Sequence, residues 1–220
     1  MSVSPLLDRI ASPEDLRALA PEEVARVASE LRQEIIDNIS RTGGHLASSL
    51  GSVELITALH RVFDTPRDRL VLDVGHQGYA HKMLTGRRAA FSDMGKEGGI
   101  AKFLRRCESP YDHFGAGHAG TSISAALGMA RAFEHQGSEH CAIALIGDGS
   151  MTAGMAFEAL NHAGHLQQKN LVVVLNDNEM SISPNVGALS SYLSRKLSQP
   201  MVRTLKGWAK EFLGSLPGDM

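Results

Sequence analysis

The sequence predicts an α/β fold, an open parallel sheet flanked by helices, and three observations predict it. The runs Cys141–Ile146 (CAIALI) and Leu171–Leu175 (LVVVL) are continuously apolar, as strands buried on both faces are. The segment between them, Ala153–Leu166, is helical in character, and strand–helix–strand over this length makes one right-handed crossover. Both runs end in polar turn-forming triplets, Gly147-Asp148-Gly149 and Asn176-Asp177-Asn178, so ligands are expected beyond the carboxyl ends of the strands.

The remaining elements follow in chain order. From Pro21 to Ser40, Val24, Val27, Ala28, Leu31, Ile35 and Ile39 recur at three- and four-residue spacing, one stripe of a helix. Pro21 suits its first position and Gly43-Gly44 its stop. A second helix is predicted from Ser52 to Phe63, with Ser52 as N-cap. Leu70–Val74 reads as a strand ending in the turn Gly75-His76. A short helix is expected from Ala80 to Leu84, then loop with short pieces from Phe91 to Tyr111. Ser122–His135 places Ile123, Leu127, Ala130 and Phe133 on one helical face. Beyond Ser183 the pattern weakens, and Gly187–Leu197 and Val202–Leu213 are the helical candidates in a tail, 187–220, expected to be mobile.

Composition narrows the class. With 220 residues, 43% hydrophobic and 21% charged, the chain suits one substantial globular domain and excludes wholesale disorder. A net charge of −2 gives no broad footprint for nucleic acid. Glycine is one residue in ten, 22 in all, which fits backbone that approaches a ligand closely. The two cysteines, Cys107 and Cys141, lack metal-ligand spacing and fit a reducing compartment. No secretory signal and no membrane-length apolar stretch is present, so a cytoplasmic location is expected.

The chemistry concentrates at the two strand ends. On adjacent parallel strands, Asp148 and Asn178 would share one edge of the sheet. A carboxylate and an amide oxygen form a hard, all-oxygen set suited to Mg²⁺, which takes its other ligands from phosphate and water. Gly149 lets backbone approach a diphosphate, and the following helix offers N–H groups to it. Gly-Asp-Gly alone would read more readily as an Asp cap on a helix; it is the pair of triplets that favours a metal–diphosphate site. His45, His76 and His118 each follow a glycine at an element boundary. Each alone would be a turn histidine bonded to backbone. Lys82 and Arg87 read either as phosphate binders or as a solvated helix face, and Glu158 less readily as a site carboxylate than as a dimer-contact or helix-surface residue.

The GDG…NDN pair resembles the thiamin-diphosphate motif, and longer stretches narrow the resemblance. Asp73–Arg87 (DVGHQGYAHKMLTGR), Gly43–Gly51 (GGHLASSLG), Glu108–Ser124 (ESPYDHFGAGHAGTSIS), Gly147–Gly164 and Asn176–Leu193 (NDNEMSISPNVGALSSYL) are similar to segments of the 1-deoxy-D-xylulose-5-phosphate synthase family. The resemblance is nearly continuous from Leu31 to Leu193. It implies a transketolase-like fold and a chain, 1–220, that is the N-terminal pyrophosphate-binding domain, cut short. It implies thiamin diphosphate and Mg²⁺ as cofactors. Asp148, Asn178 and the Met180 carbonyl would hold the metal. His76, Gly117, His118, Ala119, Gly149, Ser150 and Asn178 would contact the cofactor, and His45 and His76 would be catalytic.

By the same resemblance, pyruvate and glyceraldehyde 3-phosphate would be condensed to 1-deoxy-D-xylulose 5-phosphate and CO₂, feeding isoprenoid, thiamin and pyridoxal precursors, in a homodimeric enzyme. Three positions depart from the pattern. Ala119 and Gly120 stand where the family has one or two serines, and Leu104 where proline is common. The family's activating glutamate belongs to a second domain, so this chain alone is expected to be inactive. A split transketolase subunit and a non-catalytic phosphate-binding module are the alternatives. The Asp73–Arg87 and Asn176–Leu193 segments speak against the former.

Overall fold

The structure is a computed structural model that describes residues 5–177. Three parallel strands, β1 (Arg69–Leu72), β2 (Ala142–Gly147) and β3 (Leu171–Asn176), form one sheet in the order β1-β2-β3. Leu72 lies opposite Leu145, and Gly147 opposite Asn176. The helices are α1 (Pro13–Ala18), α2 (Pro21–Thr42), α3 (Leu46–Leu50), α4 (Val53–Val62), α5 (Tyr79–Lys82), α6 (Ser122–His135) and α7 (Gly154–Leu166). The expected parallel α/β sheet, with α7 crossing from β2 to β3, is the fold observed.

Burial on both faces explains the unbroken apolar run of β2, whereas the expectation of two-sided burial is corrected for β3, whose Leu171–Leu175 are only half-buried and pack on the core through Val172 and Val174. Leu70 and Leu72 of β1 and Ile143 and Leu145 of β2 belong to the larger core, with Leu31, Ile35 and Ile39 of α2 and Ile56 of α4. Successive strand residues alternate between faces. Val71, Ala144 and Ile146 therefore face the opposite layer, where α6 packs on all three strands and buries Ile123, Ala126, Leu127 and Ala130.

Helix α2 begins with Pro21 and ends where Gly43 turns to φ 69°, its N–H donating to the Ile39 carbonyl at 2.9 Å. Two expectations are corrected. Ser52 does stand at the N-terminus of α4 but makes no side-chain cap. Its hydroxyl donates instead to the carbonyls of Ser49 at 3.0 Å and Gln77 at 3.1 Å, tying α4 to the turn after β1. The helix expected over Ala80–Leu84 is Tyr79–Lys82, because Thr85 and Gly86 leave helical geometry, Gly86 with φ 85°. The short helices α1 and α3 are additional to the sequence reading. The helices expected within 187–220 lie outside the described residues.

Candidate active site

Beyond β1 the chain reaches Asp73, whose side chain is buried. Its carboxylate accepts the N–H of Gly120 at 2.7 Å and of Ser122 at 3.0 Å. An anion at the start of α6 is favoured by the helix dipole. The two bonds dock the 117–121 turn, and with it His118, at the carboxyl end of β1. Gly120 has φ +83°, and a Cβ there would lie 2.3 Å from the Cβ of Ala153. The turn therefore packs against the segment after Gly147-Asp148-Gly149, and glycine at 120 is what allows that contact.

The three glycine-flanked histidines come together. The rings of His45 and His76 stack with centroids 5.0 Å apart and 28° between planes, and His76 lies 5.9 Å from His118. Phe103 joins them, edge-on to His118 at 5.5 Å and tilted on His45 at 6.4 Å. His45 immediately precedes α3, and its N–H points at the Tyr79 hydroxyl 3.5 Å away. The His76 carbonyl accepts the Ser49 hydroxyl of α3. Partial burial, then the neighbouring His45 and His118 rings, lowers the pKa of His76 from 6.5 to about 4. At neutral pH its imidazole is uncharged, and can act as donor or acceptor. Its Nδ1 is buried and has no hydrogen-bond partner among the described residues.

The ends of β2 and β3 meet beside this cluster. The Asp148 N–H donates to the Asn176 carbonyl at 3.2 Å. A Cβ on Gly147 would sit 3.4 Å from Nε2 of Gln77, the residue after His76. Asp148 and Ser150 are half-buried, while Gly117, His118, Ala119 and Gly149 are exposed. Asn178 and Met180, the other expected metal ligands, lie outside the described residues. No cluster of three or more His, Cys, Asp or Glu side chains suited to a metal occurs among the described residues; the expected oxygen set uses one carboxylate only.

Lys82 and Arg87 are neither phosphate binders nor a solvated face; both are buried in ion pairs. Lys82 pairs with Glu108. Arg87 grips Asp112 with two bonds of 2.8 Å and reaches Glu108 at 2.9 Å. His81 Nε2 lies 3.1 Å from Asp112, and its Nδ1 lies 2.9 Å from Nε2 of the fully buried His60, which contacts Thr65 at 2.9 Å. Burial would raise the Asp112 pKa, but the bonds from His81 and Arg87 hold it far below the usual carboxylate range. Burial pushes His60 and His81 down. Both are neutral, so the proton order is fixed. Asp112 can only accept, hence His81 carries its proton on Nε2 and accepts from His60 on Nδ1. Glu158 is exposed on α7 and stands apart as a surface residue.

Sequence reading missed Asp73, Phe103, Ser49 and Tyr79 as organisers of the site. The only available signal was that Asp73 closes a strand just before Gly75-His76. Its partners lie 47 and 49 residues away.

The edge has polar groups to offer a further group. Among the described residues, His76 Nδ1, Gln77 Oε1, Ser122 Oγ and Asn176 Nδ2 are buried without partners around this edge, and a Cβ on Gly117 would meet no described atom within 4 Å. Unpartnered buried polar atoms are uncommon in folded proteins and mark a place where another group is to be met.

Comparison with known proteins gives the class, then the family. Solved transketolases share the fold: that of Leishmania mexicana aligns with a TM-score of 0.68 over 80% of this chain and 31% of its own, at 22% identity. A transketolase variant from Pichia stipitis gives 0.67 over 76% of this chain and 29% of its own, also at 22% identity. The fold is thus that of the transketolase-like α/β proteins. The sequence profile described as 1-deoxy-D-xylulose-5-phosphate synthase matches residues 7–219, and the chain belongs to that family of transferases. The synthase of Thioalkalivibrio sulfidiphilus is 61% identical over 97% of this chain and 33% of its own length. That of Thiobacillus denitrificans is 64% identical over 88% of this chain and 31% of its own. The chain spans about a third of the length of the curated relatives it matches. No helix among the described residues is long and apolar enough to cross a membrane.

Proposed function

We propose that this chain is the pyrophosphate-binding domain of a thiamin-diphosphate- and Mg²⁺-dependent synthase that joins two carbons of pyruvate to glyceraldehyde 3-phosphate. The products are 1-deoxy-D-xylulose 5-phosphate and CO₂, and their place is in cytoplasmic isoprenoid, thiamin and pyridoxal precursor synthesis by a homodimer. One observation carries the reading. His45, His76 and His118, which stand far apart in sequence, converge at the sheet edge where Gly147-Asp148-Gly149 ends β2.

Thiamin diphosphate, when bound, supplies the carbanion chemistry. The chain's own residues bind and orient. Asp148, with Asn178 and the Met180 carbonyl, would hold Mg²⁺. Gly149 and Ser150 at the start of the turn before α7, and Gly117, His118 and Ala119 in the turn anchored by Asp73, would meet the cofactor. Neutral His76 can donate a proton to, or accept one from, an oxygen of the bound donor through a nitrogen its neighbours leave unpaired. His45, stacked on it, is placed to share that role. Binding through this chain alone is expected to be weak and dominated by the diphosphate, and the chain alone is expected to be catalytically inactive.

Product analysis of the protein in its native cellular form tests the reading. Release of CO₂ from pyruvate that depends on glyceraldehyde 3-phosphate, and is lost in His76→Ala, is the expected result. Ketol transfer between sugar phosphates without CO₂ would assign it to a transketolase instead.

A further inference from the structure

The ring of Phe103 contacts two of the three histidines, yet it lies in a segment with no helix or strand of its own: among the described residues, none runs between Asp93 and Ser122. Something other than secondary structure must fix that ring. The backbone on either side of it is held by two acidic side chains. Glu108 Oε1 accepts the N–H of Ala101 at 2.7 Å, two residues before Phe103. Asp112 Oδ2 accepts the N–H of Arg105 at 3.1 Å, two residues after it. The same two carboxylates are bound to Lys82, Arg87 and His81. Between the clamps, Leu104 is buried in the main core, and a Cβ on Gly78 would come within 3.1 Å of it. Phe103 in turn closes so tightly over the β1 turn that a Cβ on Gly75 would lie 2.6 Å from its own Cβ.

We propose that Glu108 and Asp112 are positioning residues for the histidine cluster: they staple the backbone on both sides of Phe103, and Lys82, Arg87 and His81 anchor the staple, so that the Phe103 ring forms an apolar wall against His45 and His118. The inference concerns the arrangement of the three imidazoles and holds whatever ligand they meet. A largely buried ionic network is well suited to this work, because its geometry is specific where an apolar contact would slide. The wall has a chemical consequence. It keeps water from the flank of the cluster, and so supports the burial that leaves His76 neutral.

Nuclear magnetic resonance on the 220-residue chain tests this without any bound ligand. In the wild type, the Ala101 and Arg105 amides are expected to exchange at least tenfold more slowly than other amides of the 95–107 stretch that make no hydrogen bond. Exchange of both at the unprotected rate overturns the staple before any variant is made. Phe103→Ala, at a half-buried position, is expected to move the His76 titration up by about one pH unit from its low value, and Phe103→Tyr, which keeps the ring, to restore it. Glu108→Gln removes the charge that binds Lys82 and Arg87. It is expected to deprotect Ala101 and to shift the ring-proton resonances of His118, which packs T-shaped with Phe103. Wild-type His118 resonances and His76 titration in a folded Glu108→Gln protein would overturn the role of the acids. An unmoved His76 titration in Phe103→Ala would overturn the wall. Neither outcome depends on thiamin diphosphate binding, so failure here is separable from failure of the proposed activity.

Discussion

Replacing Asp73 tests how the site is built more sharply than replacing any of the histidines. Its carboxylate is 1% exposed and accepts two backbone N–H groups, of Gly120 at 2.7 Å and Ser122 at 3.0 Å, both in buried residues. Hydrogen bonds to a charged acceptor contribute about 1.5–3 kcal/mol each, and a buried donor left unpaired costs about 1–3 kcal/mol. Asp73→Ala strands both donors and is expected to destabilise the chain by about 3–5 kcal/mol. Asp73→Asn retains one accepting oxygen and turns an NH₂ toward the other N–H, for an expected loss of about 2–3 kcal/mol. Urea unfolding followed by far-UV circular dichroism reads the difference. With a slope of about 1–3 kcal/mol/M, the Asn variant should unfold at a midpoint lower by roughly 1 M or more. The loss should be local as well, with the His118 resonances displaced and the stacking of His45 on His76 kept. An Asn variant whose midpoint falls within about 0.2 M of wild type would refute the role given to this carboxylate.

Three further outcomes are expected. Acid should destabilise the fold between pH 7 and 5: His60, His76, His81 and His113 are held neutral below the ordinary value of 6.5, His76 to about 4 and His113 to about 3. The unfolded chain takes up those protons first, so the stabilisation is complete above about pH 6.5 and is lost as pH falls toward the folded values, by about 2 kcal/mol for His113 at pH 5 and about half that for the partly exposed His76; a flat unfolding midpoint from pH 7 to 5 would contradict this. Arg87→Met leaves Asp112 buried against fewer partners and should cost about 3–5 kcal/mol, whereas loss of a solvated or phosphate-binding arginine would leave the unfolding midpoint almost unchanged. Gly120→Ala should lower stability by about 2–4 kcal/mol, through the left-handed φ and the overlap with Ala153, and a midpoint equal to wild type would show that the 117–121 turn does not pack as described.

The parts of the fold legible in the sequence were those whose signal is local. CAIALI and LVVVL announce buried strands because both faces of β2, and the core-facing side of β3, meet apolar neighbours. The stripe of α2 shows because one face alone is buried. Helices α1 and α3, of six and five residues, are too short to display a period. The site divides in the same way. Glycines before His45, His76 and His118 mark element boundaries, and the structure brings those three rings together. Lys82 and Arg87 were misread because the carboxylates that neutralise them lie 21 to 26 residues away, at Glu108 and Asp112, in a stretch with no regular period. The acceptor for Gly120 and Ser122 is likewise set by tertiary packing alone, and no spacing rule connects Asp73 to them.

The Gly147-Asp148-Gly149 end of β2 is proposed to serve a metal-held diphosphate. Titration calorimetry of the 220-residue chain with thiamin diphosphate, with and without Mg²⁺, and of Asp148→Ala under the same conditions, tests it most directly. Binding should require Mg²⁺, be competed better by inorganic diphosphate than by thiamin monophosphate, and disappear in Asp148→Ala while the fold stays intact. Binding of equal strength without a divalent ion, or unchanged in the Asp148 variant, would contradict it.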